Sequence, residues 1–301
     1  MFANLPSTGA LVTLTDGTGT LVIAPACGAR IVAYRVAGRD VLRQATTEGL
    51  DNGFTYGFSA FPLMPYSGPI FGGGFHYGGS FHRLARNVPA EPTATHGEGW
   101  ISPWRILEQS ESAIRLAMDY KPQPHAFPFA WRGEIAYRLD HGRFAVEMRI
   151  ENRDYRAMPA GLGFHPYFPR LPGTMLAFDA TGLWPPDEPD AVKHGAGPLV
   201  PGLDFRDGVD VDPMIFDRCY EGWNGVATLA APDGTVTFIE ADPVFCKLQI
   251  YGPCDYPYVC IEPVTNANDG INRAAAGVPG HSVADLSPGA SMSGAITIGL
   301  R

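Results

Sequence analysis

The sequence is poor in cysteine and contains no cysteine-based motif. Its 301 residues include five cysteines, an odd number, and no C-x-x-C pair occurs. Such a set does not suit a disulfide framework or a zinc cage, and it is typical of reduced thiols. The N terminus also lacks a positively charged segment followed by a long apolar run. We therefore expect a cytoplasmic protein, and we predict no metal site.

Basic residues are also in the minority. The chain has 22 Lys and Arg against 31 Asp and Glu, which gives a net charge of −9. This balance disfavours nucleic acid and anionic membrane surfaces as partners. Residues 52–82 contain no charged residue, but their eight glycines and three prolines exclude a membrane helix. We expect this segment to be a glycine-rich and aromatic-rich loop region.

Several familiar catalytic motifs are missing. The sequence has no Gly-rich phosphate loop that ends in Lys-Ser or Lys-Thr, and no G-x-G-x-x-G between a strand and a helix. It also lacks the G-x-S-x-G elbow of many hydrolases and the H-E-x-x-H pair of metalloproteases. Nucleotide binding and these two classes of hydrolysis are therefore not indicated.

Helical periodicity is missing as well, whereas strand periodicity is frequent. In "RGEIAYRLDHGRFAVEMRIEN" apolar residues alternate with polar ones on both sides of His141-Gly142, which predicts a β-hairpin. Similar runs are "TLVIAP", "RIVAYRVAG", "SAIRLAMDY", "TVTFIEA", "KLQIYGP" and "YVCIEP". With 36 glycines and 28 prolines, the chain is typical of a large antiparallel all-β protein. We predict a single domain over residues 1–301, with a long surface excursion from residue 183 onward.

Four polar residues lie in apolar or aromatic stretches of the sequence. His165 lies among aromatic residues in "GLGFHPYF", where a packed histidine with one satisfied hydrogen bond is as plausible as a functional one. Glu262 ends the apolar run "YVCIE", where burial costs free energy unless the carboxylate is paired or lies in a cleft. His96 in "THGEGW" is followed closely by two tryptophans. Asp217 in "MIFDRCYEGW" could equally cap a turn.

The order of these segments resembles that of a known family. "FPLMPYSGPI", "THGEGW", "GLGFHPYF", "FDRCYEGW" and "YVCIEPVTNANDGIN" look like successive signature segments of the aldose 1-epimerase (galactose mutarotase-like) superfamily. "GTGTLVIAPACGARIVAYRVAGRDVL" resembles its first hairpins and "LSPGASMSGAITIGL" its closing strand, so the resemblance spans nearly the whole chain. It implies a large antiparallel β-sandwich, the galactose mutarotase-like supersandwich.

The resemblance also implies roles for individual residues. His165 would be the general acid and Glu262 the general base in the exchange of α and β anomers of a neutral free monosaccharide, with no cofactor. His96 and Asp217 would bind the sugar. Flat rings could line its C–H face, and the candidates are Tyr167, Trp100 and Tyr66. The protein would be a monomer or a homodimer.

One departure from the family affects the substrate. Where many members have Asn-Arg, this chain has Ser67-Gly68, so an arginine that helps to fix the sugar is absent. We expect a roomier pocket there and weak, broad recognition of neutral aldoses. The absence of this arginine favours an alternative to the epimerase, namely a sugar-binding protein without turnover. Less favoured alternatives are a glycoside hydrolase or lyase that uses Asp217 and Glu262 as paired carboxylates, and a hexose-6-phosphate epimerase, which would need basic residues.

Overall fold

The fold is built from antiparallel β-strands and two short helices. The computed structural model describes residues 8–52, 55–89, 91–212, 215–253 and 256–301. The strands of its first half are β1 Val12–Thr15, β2 Gly19–Ala24, β3 Arg30–Val36, β4 Arg39–Asp40, β5 Ala60–Leu63, β6 Pro69–Ile70, β7 Gly74–Tyr77, β8 Ser80–Arg83, β9 Ala94–Thr95, β10 Arg105–Gln109, β11 Ala113–Tyr120, β12 Trp131–Asp140 and β13 Arg143–Asn152. Those of its second half are β14 Met158–Ala160, β15 Gly163–Pro169, β16 Met175–Phe178, β17 Gly182–Leu183, β18 Val209–Asp210, β19 Phe216–Glu221, β20 Val226–Ala230, β21 Val236–Ala241, β22 Lys247–Gly252, β23 Tyr258–Val264, β24 Ala284–Leu286 and β25 Ser291–Leu300. The helices are α1 Thr47–Asn52 and α2 Gly270–Ala275.

Most of the strands form two large sheets. The first, here called the site sheet, has the order β1-β2-β3-β5-β15-β23-β22-β19-β17, with β4 paired to β3. The second, here called the cover sheet, has the order β10-β11-β12-β13-β25-β21-β20-β16-β18. Apolar side chains of both sheets meet in one core, where the rings of Phe144 and Phe164 lie 5.9 Å apart. The predicted antiparallel β-sandwich is confirmed.

The hairpin that the alternation predicted forms the centre of the cover sheet. β12 pairs with β13 over ten residue pairs that end at Asp140 and Arg143. The two residues between them, His141 and Gly142, have φ values of 50° and 73°. Positive φ at both positions is typical of the type I′ turn, whose twist matches that of the strands. The predicted loop region at 52–82 is partly wrong, because it contains β5, an inner strand of the site sheet, and the β7–β8 hairpin.

The site sheet separates its side chains onto two faces, as the two-residue period of a strand requires. On β23, Val259 and Ile261 point into the main core, whereas Cys260 and Glu262 point to the opposite face. We call this opposite face the site face. It carries its own small aromatic and apolar cluster around Phe61, Trp100 and Tyr167.

Candidate active site

A row of polar side chains crosses the site face. The pairing of β15 with β23 keeps one register on both sides of His165, which places His165 opposite Glu262. On the next strand Gln249 is the direct partner of Glu262. Beyond it Asp217 on β19 accepts a hydrogen bond from Nε2 of Gln249 at 2.7 Å. We call His165, Glu262, Gln249 and Asp217 the polar row.

Glu262 is a buried carboxylate without a hydrogen-bond donor in the described part of the chain. Only 2% of the residue is exposed, and its Oε1 lies 3.3 Å from Nε2 of His165. Burial, with a smaller contribution from the charge of Asp217, raises its pKa well above the usual value. An unsatisfied buried carboxylate is expensive for the fold, and native structures rarely keep one without a function. Its oxygens are therefore available to a ligand.

His165 is held rigidly beside this carboxylate. Its ring lies 4.5 Å from that of Phe61 and is stacked on Tyr167 at 4.8 Å. Nδ1 of His165 is buried and has no hydrogen-bond partner among the described residues. Burial, followed by the neighbouring His96, lowers its pKa well below the usual value. The two aromatic neighbours fix the imidazole in the orientation that faces Glu262.

Burial acts in opposite directions on the pKa values of the two groups. Burial favours the uncharged form of each, so the carboxyl tends to keep a proton and the imidazole tends to lose one. At 3.3 Å a small movement brings the oxygen and the nitrogen into hydrogen-bond distance. The pair can therefore take up a proton on one side of a bound molecule and release one on the other side.

His96 lies beside the pair and is held by the loop around Ser67. Its Nδ1 accepts a hydrogen bond from the backbone N–H of Gly68 at 3.0 Å, so the ring proton of the neutral imidazole is on Nε2. Burial lowers the pKa of His96 to about 3, which keeps it neutral. Its ring is perpendicular to that of His165, with centroids 5.7 Å apart. His96 can therefore donate to a ligand oxygen at neutral pH.

Gly68 has a conformation that only glycine adopts readily. Its φ is 78°, and a Cβ atom at this position would lie 2.2 Å from Oδ1 of Asn268. The expected extra room at Ser67-Gly68 is thus wrong, because the Asn268 side chain fills it. The backbone N–H of Gly68 is also engaged by His96 and is not a free donor.

Asp217 lies at the solvent-exposed end of the polar row. Desolvation by the surrounding side chains nevertheless raises its pKa, and the charge of Arg218 and the hydrogen bond from Gln249 only partly offset this effect. A carboxylate that is partly desolvated but still contacts solvent can form part of the wall of a binding site. The role of Asp217 in binding stays a prediction.

The three predicted aromatic contacts have other positions. One face of Tyr167 stacks on His165, and the guanidinium of Arg43 lies 4.3 Å from its ring centroid. Trp100 is fully buried and packs against Phe61 at 4.8 Å. These two rings pack against the imidazoles and their neighbours, and their burial leaves little ring surface for a ligand.

Tyr66 is further from the polar row. It is buried in the main core, where its ring packs against Phe127 with centroids 6.1 Å apart. The structure therefore does not bring Tyr66 together with His165 and Glu262.

The sequence analysis missed one member of the polar row, Gln249, and two residues next to it, Asn268 and Asp187. Asn268 Nδ2 donates to Gln249 Oε1 at 3.2 Å and to Asp187 Oδ2 at 2.7 Å. Gln249 could have been found, because it alternates with the core residues Leu248 and Ile250 in "KLQIYG" and so lies on the face that carries Glu262. No local sequence pattern distinguishes Asn268 or Asp187, because only the tertiary fold brings their loops to the polar row.

One group of side chains in the described residues could hold a metal ion. A nitrogen of His165, the sulfur of Cys260 and an oxygen of Glu262 lie within 4.8 Å of one another. These donor types suit Zn²⁺. Burial raises the pKa of the Cys260 thiol well above its usual value, which makes it a poor ligand at neutral pH.

Two cavities of the described surface lie away from the polar row. One of about 430 Å³ is lined by the β7–β8 hairpin, α2 and residues near Asp285. Its walls are mostly apolar, and the hydroxyl of Tyr77 at its rim already donates to Asp285. Its carboxyl group, that of Asp285, is already paired with Tyr77, whereas the polar row has a carboxylate and an imidazole facing each other.

Comparison with known sequences agrees with the resemblance. The sequence profile of the family described as aldose 1-epimerase matches residues 10–299. The chain belongs to the aldose 1-epimerase family. Within curated proteins of Escherichia coli K12, it is 25% identical over 263 residues to the uncharacterized protein YphB, a match that covers 83% of this chain and 86% of YphB.

Solved structures show the same fold. A protein of Escherichia coli K12 proposed to be an aldose 1-epimerase superposes with a TM-score of 0.85 at 24% identity, over 97% of this chain and 99% of that one. A galactose mutarotase-like protein of Clostridium acetobutylicum superposes with a TM-score of 0.82 at 17% identity, over 97% and 95% of the two chains. Among the described residues, neither helix has the length and apolar character to cross a membrane.

Proposed function

We propose that the protein is a mutarotase that interconverts the α and β anomers of a neutral free monosaccharide. The observation that carries this proposal is the pair of Glu262 and His165, a buried carboxylate without a donor against a neutral imidazole 3.3 Å away. Family membership supports the same reaction class.

The reaction needs one proton removed and one proton added. In the proposed scheme the carboxylate of Glu262 accepts the proton of the C1 hydroxyl while protonated His165 donates a proton to the ring oxygen. The C1–O5 bond then breaks and the C1 oxygen becomes the aldehyde oxygen. Rotation about C1–C2 presents the other face of the aldehyde, and the reverse transfers close the ring to the other anomer.

The proton count suits the pair described above. One proton is shared by Glu262 and His165, and transfer from the carboxyl to the imidazole produces the reactive form. After the first half of the reaction the proton has returned to Glu262, ready for ring closure. The scheme oxidises nothing and uses no cofactor.

The remaining polar groups would bind the sugar. His96 Nε2 donates to an oxygen, whereas the Asp217 carboxylate accepts from a hydroxyl. Gln249 lies between Asp217 and Glu262, since it donates to Asp217 and is the strand partner of Glu262. It would therefore set the distance between the two carboxylates. These groups fix the sugar so that its C1 lies between the acid and the base.

Polarimetry tests the proposal directly. Freshly dissolved α-anomers of glucose, galactose, xylose and arabinose are followed with and without the protein, with heat-inactivated protein as the control. We expect faster relaxation than in buffer for at least one sugar. If none relaxes faster but calorimetry detects sugar binding, the non-catalytic sugar-binding alternative is the correct one. Release of reducing sugar from aryl glycosides would instead identify a glycoside hydrolase.

A further inference from the structure

A chain of hydrogen bonds connects the polar row to the long segment after β17. It runs from Asp217 through Gln249 and Asn268 to Asp187. A carboxylate stands at each end, and the two amides between them are oriented by their neighbours. One oxygen of each carboxylate is occupied by this chain, which leaves the other oxygen of each for a further donor.

The segment that carries Asp187 is fixed on both sides, to the site sheet before it and to α2 after it. Before it, the indole of Trp184 donates to Glu221 at 2.8 Å, and the Trp184 backbone N–H donates to Cys219 at 2.9 Å. After it, the guanidinium of the buried Arg273 donates to the carbonyl of Ala191 at 2.9 Å. Asp187 is therefore held beside the site, although the segment was predicted as a surface excursion.

The electrostatic surroundings of Asp187 favour a ligand that donates hydrogen bonds. Burial, followed by the charge of Asp217, raises its pKa to about 7, and Asp269 acts in the same direction. Asn268 and Arg273 lower it, but Arg273 directs its donors to backbone carbonyls. Sugar hydroxyls would supply the donors that the two carboxylates lack.

We infer that Asp187 is a substrate-binding residue that accepts hydrogen bonds from hydroxyls of the monosaccharide opposite Asp217. This inference rests on the proposed function, since it assigns a further contact in the same site. Asp187 and Asn268 thus occupy the side of the site where Ser67-Gly68 provides no side-chain donor. Recognition would then depend on carboxylates that accept hydrogen bonds, and these carboxylates would repel anionic sugars.

The test compares Asp187→Asn with Glu188→Gln, which neutralises the exposed neighbour of Asp187. The asparagine keeps an oxygen that can accept from Asn268, so the fold is preserved while the charge is lost. We expect Asp187→Asn to raise KM about tenfold and to leave kcat within about twofold, whereas Glu188→Gln changes neither. The wild-type KM should fall as the pH rises from 6 to 8, because the ionised carboxylate accepts more strongly, and this dependence should disappear in Asp187→Asn.

Calorimetric titration with the sugars used for polarimetry distinguishes a failure of the Asp187 inference from a failure of the mutarotase proposal. Wild-type KM and pH dependence in Asp187→Asn would overturn the inference and leave the mutarotase proposal intact. If the protein binds sugar without turnover, a weaker affinity of Asp187→Asn supports the inference while the mutarotase proposal fails. If no sugar binds at all, both are wrong.

Discussion

Oε1 of Glu262 lies 3.3 Å from Nε2 of His165, and the two residues face each other on adjacent strands of one sheet. Their backbones are fixed by neighbouring ladder pairs, and their side chains are fixed by aromatic packing around the imidazole. The proposed acid and base are thus part of the sheet itself and do not lie on loops.

Replacement of Glu262 by Gln should abolish proton acceptance without changing the size of the side chain. We expect kcat to fall at least 10²-fold, the typical contribution of a positioned base, while the circular dichroism spectrum stays unchanged. Glu147→Gln is the matched control, because Glu147 is exposed on the outer side of the cover sheet. A Glu262→Gln enzyme with the wild-type rate would refute the assignment, as would a fully active His165→Ala.

Chelation should leave the activity unchanged. His165, Cys260 and Glu262 are close enough to bind a metal, but the scheme needs these acid and base groups unligated. We expect the same rate before and after exhaustive dialysis against EDTA. A loss that added Zn²⁺ restores would show that the metal is required and that the scheme is wrong.

Phosphorylated sugars should be poor substrates. The carboxylates of Asp187, Asp217 and Glu262 lie along one path, whereas Arg43 and Arg273 direct donors to backbone carbonyls. We expect kcat/KM for glucose 6-phosphate to be at least about tenfold below that for glucose in the same buffer, a difference of about 1.4 kcal/mol. A preference of that size for the phosphate would reveal a basic subsite.

The sequence was sufficient for the fold, and it singled out His165 and Glu262, which the structure places side by side on adjacent strands. Alternation predicted the β12–β13 hairpin and most strands, because a half-buried strand exposes every second residue. β5 was missed because its four residues lie within a segment rich in glycine and aromatic residues. Which rings face the ligand could not be predicted, since Trp100 and Tyr66 differ only in their tertiary neighbours. Asp187 reaches the site through a long connection whose path no local pattern specifies.

Gly68→Ala should destabilise the protein and weaken sugar binding. The substitution places a Cβ against Asn268 in a left-handed backbone conformation, which also disturbs the hydrogen bond to His96. We expect urea unfolding to show a loss of about 2 kcal/mol or more. Gly72→Ala is the matched control, because its φ is 69° but the added methyl meets open space. Its cost should be about 1 kcal/mol, and equal losses in the two variants would contradict a role for the Asn268 contact.

Ionisation of Glu98 should lower the stability of the protein as the pH rises from about 4.5 to about 7. Burial raises the pKa of Glu98 to about 7, and its Oε2 has no partner among the described residues. A carboxyl with a raised pKa in the folded state stabilises the fold fully below its unfolded value, and this contribution is lost as the pH rises through about 7. The free energy of unfolding should thus be lower at pH 8 than at pH 5.5. Glu98→Gln should reduce this difference by about 2 kcal/mol, and an unchanged difference would show that Glu98 ionises freely.

The alternation along β23 also makes the protein's activity and its folding inseparable. Ile261 belongs to the main core and Glu262 to the opposite face, so a slip of one residue would drive the carboxylate into hydrocarbon and place the isoleucine on the site face. We therefore expect no misaligned sheet to persist as a compact species. During heating, catalysis and the β-sheet signal should disappear in a single transition, and a refolded chain that regains its sheet should regain its full specific activity.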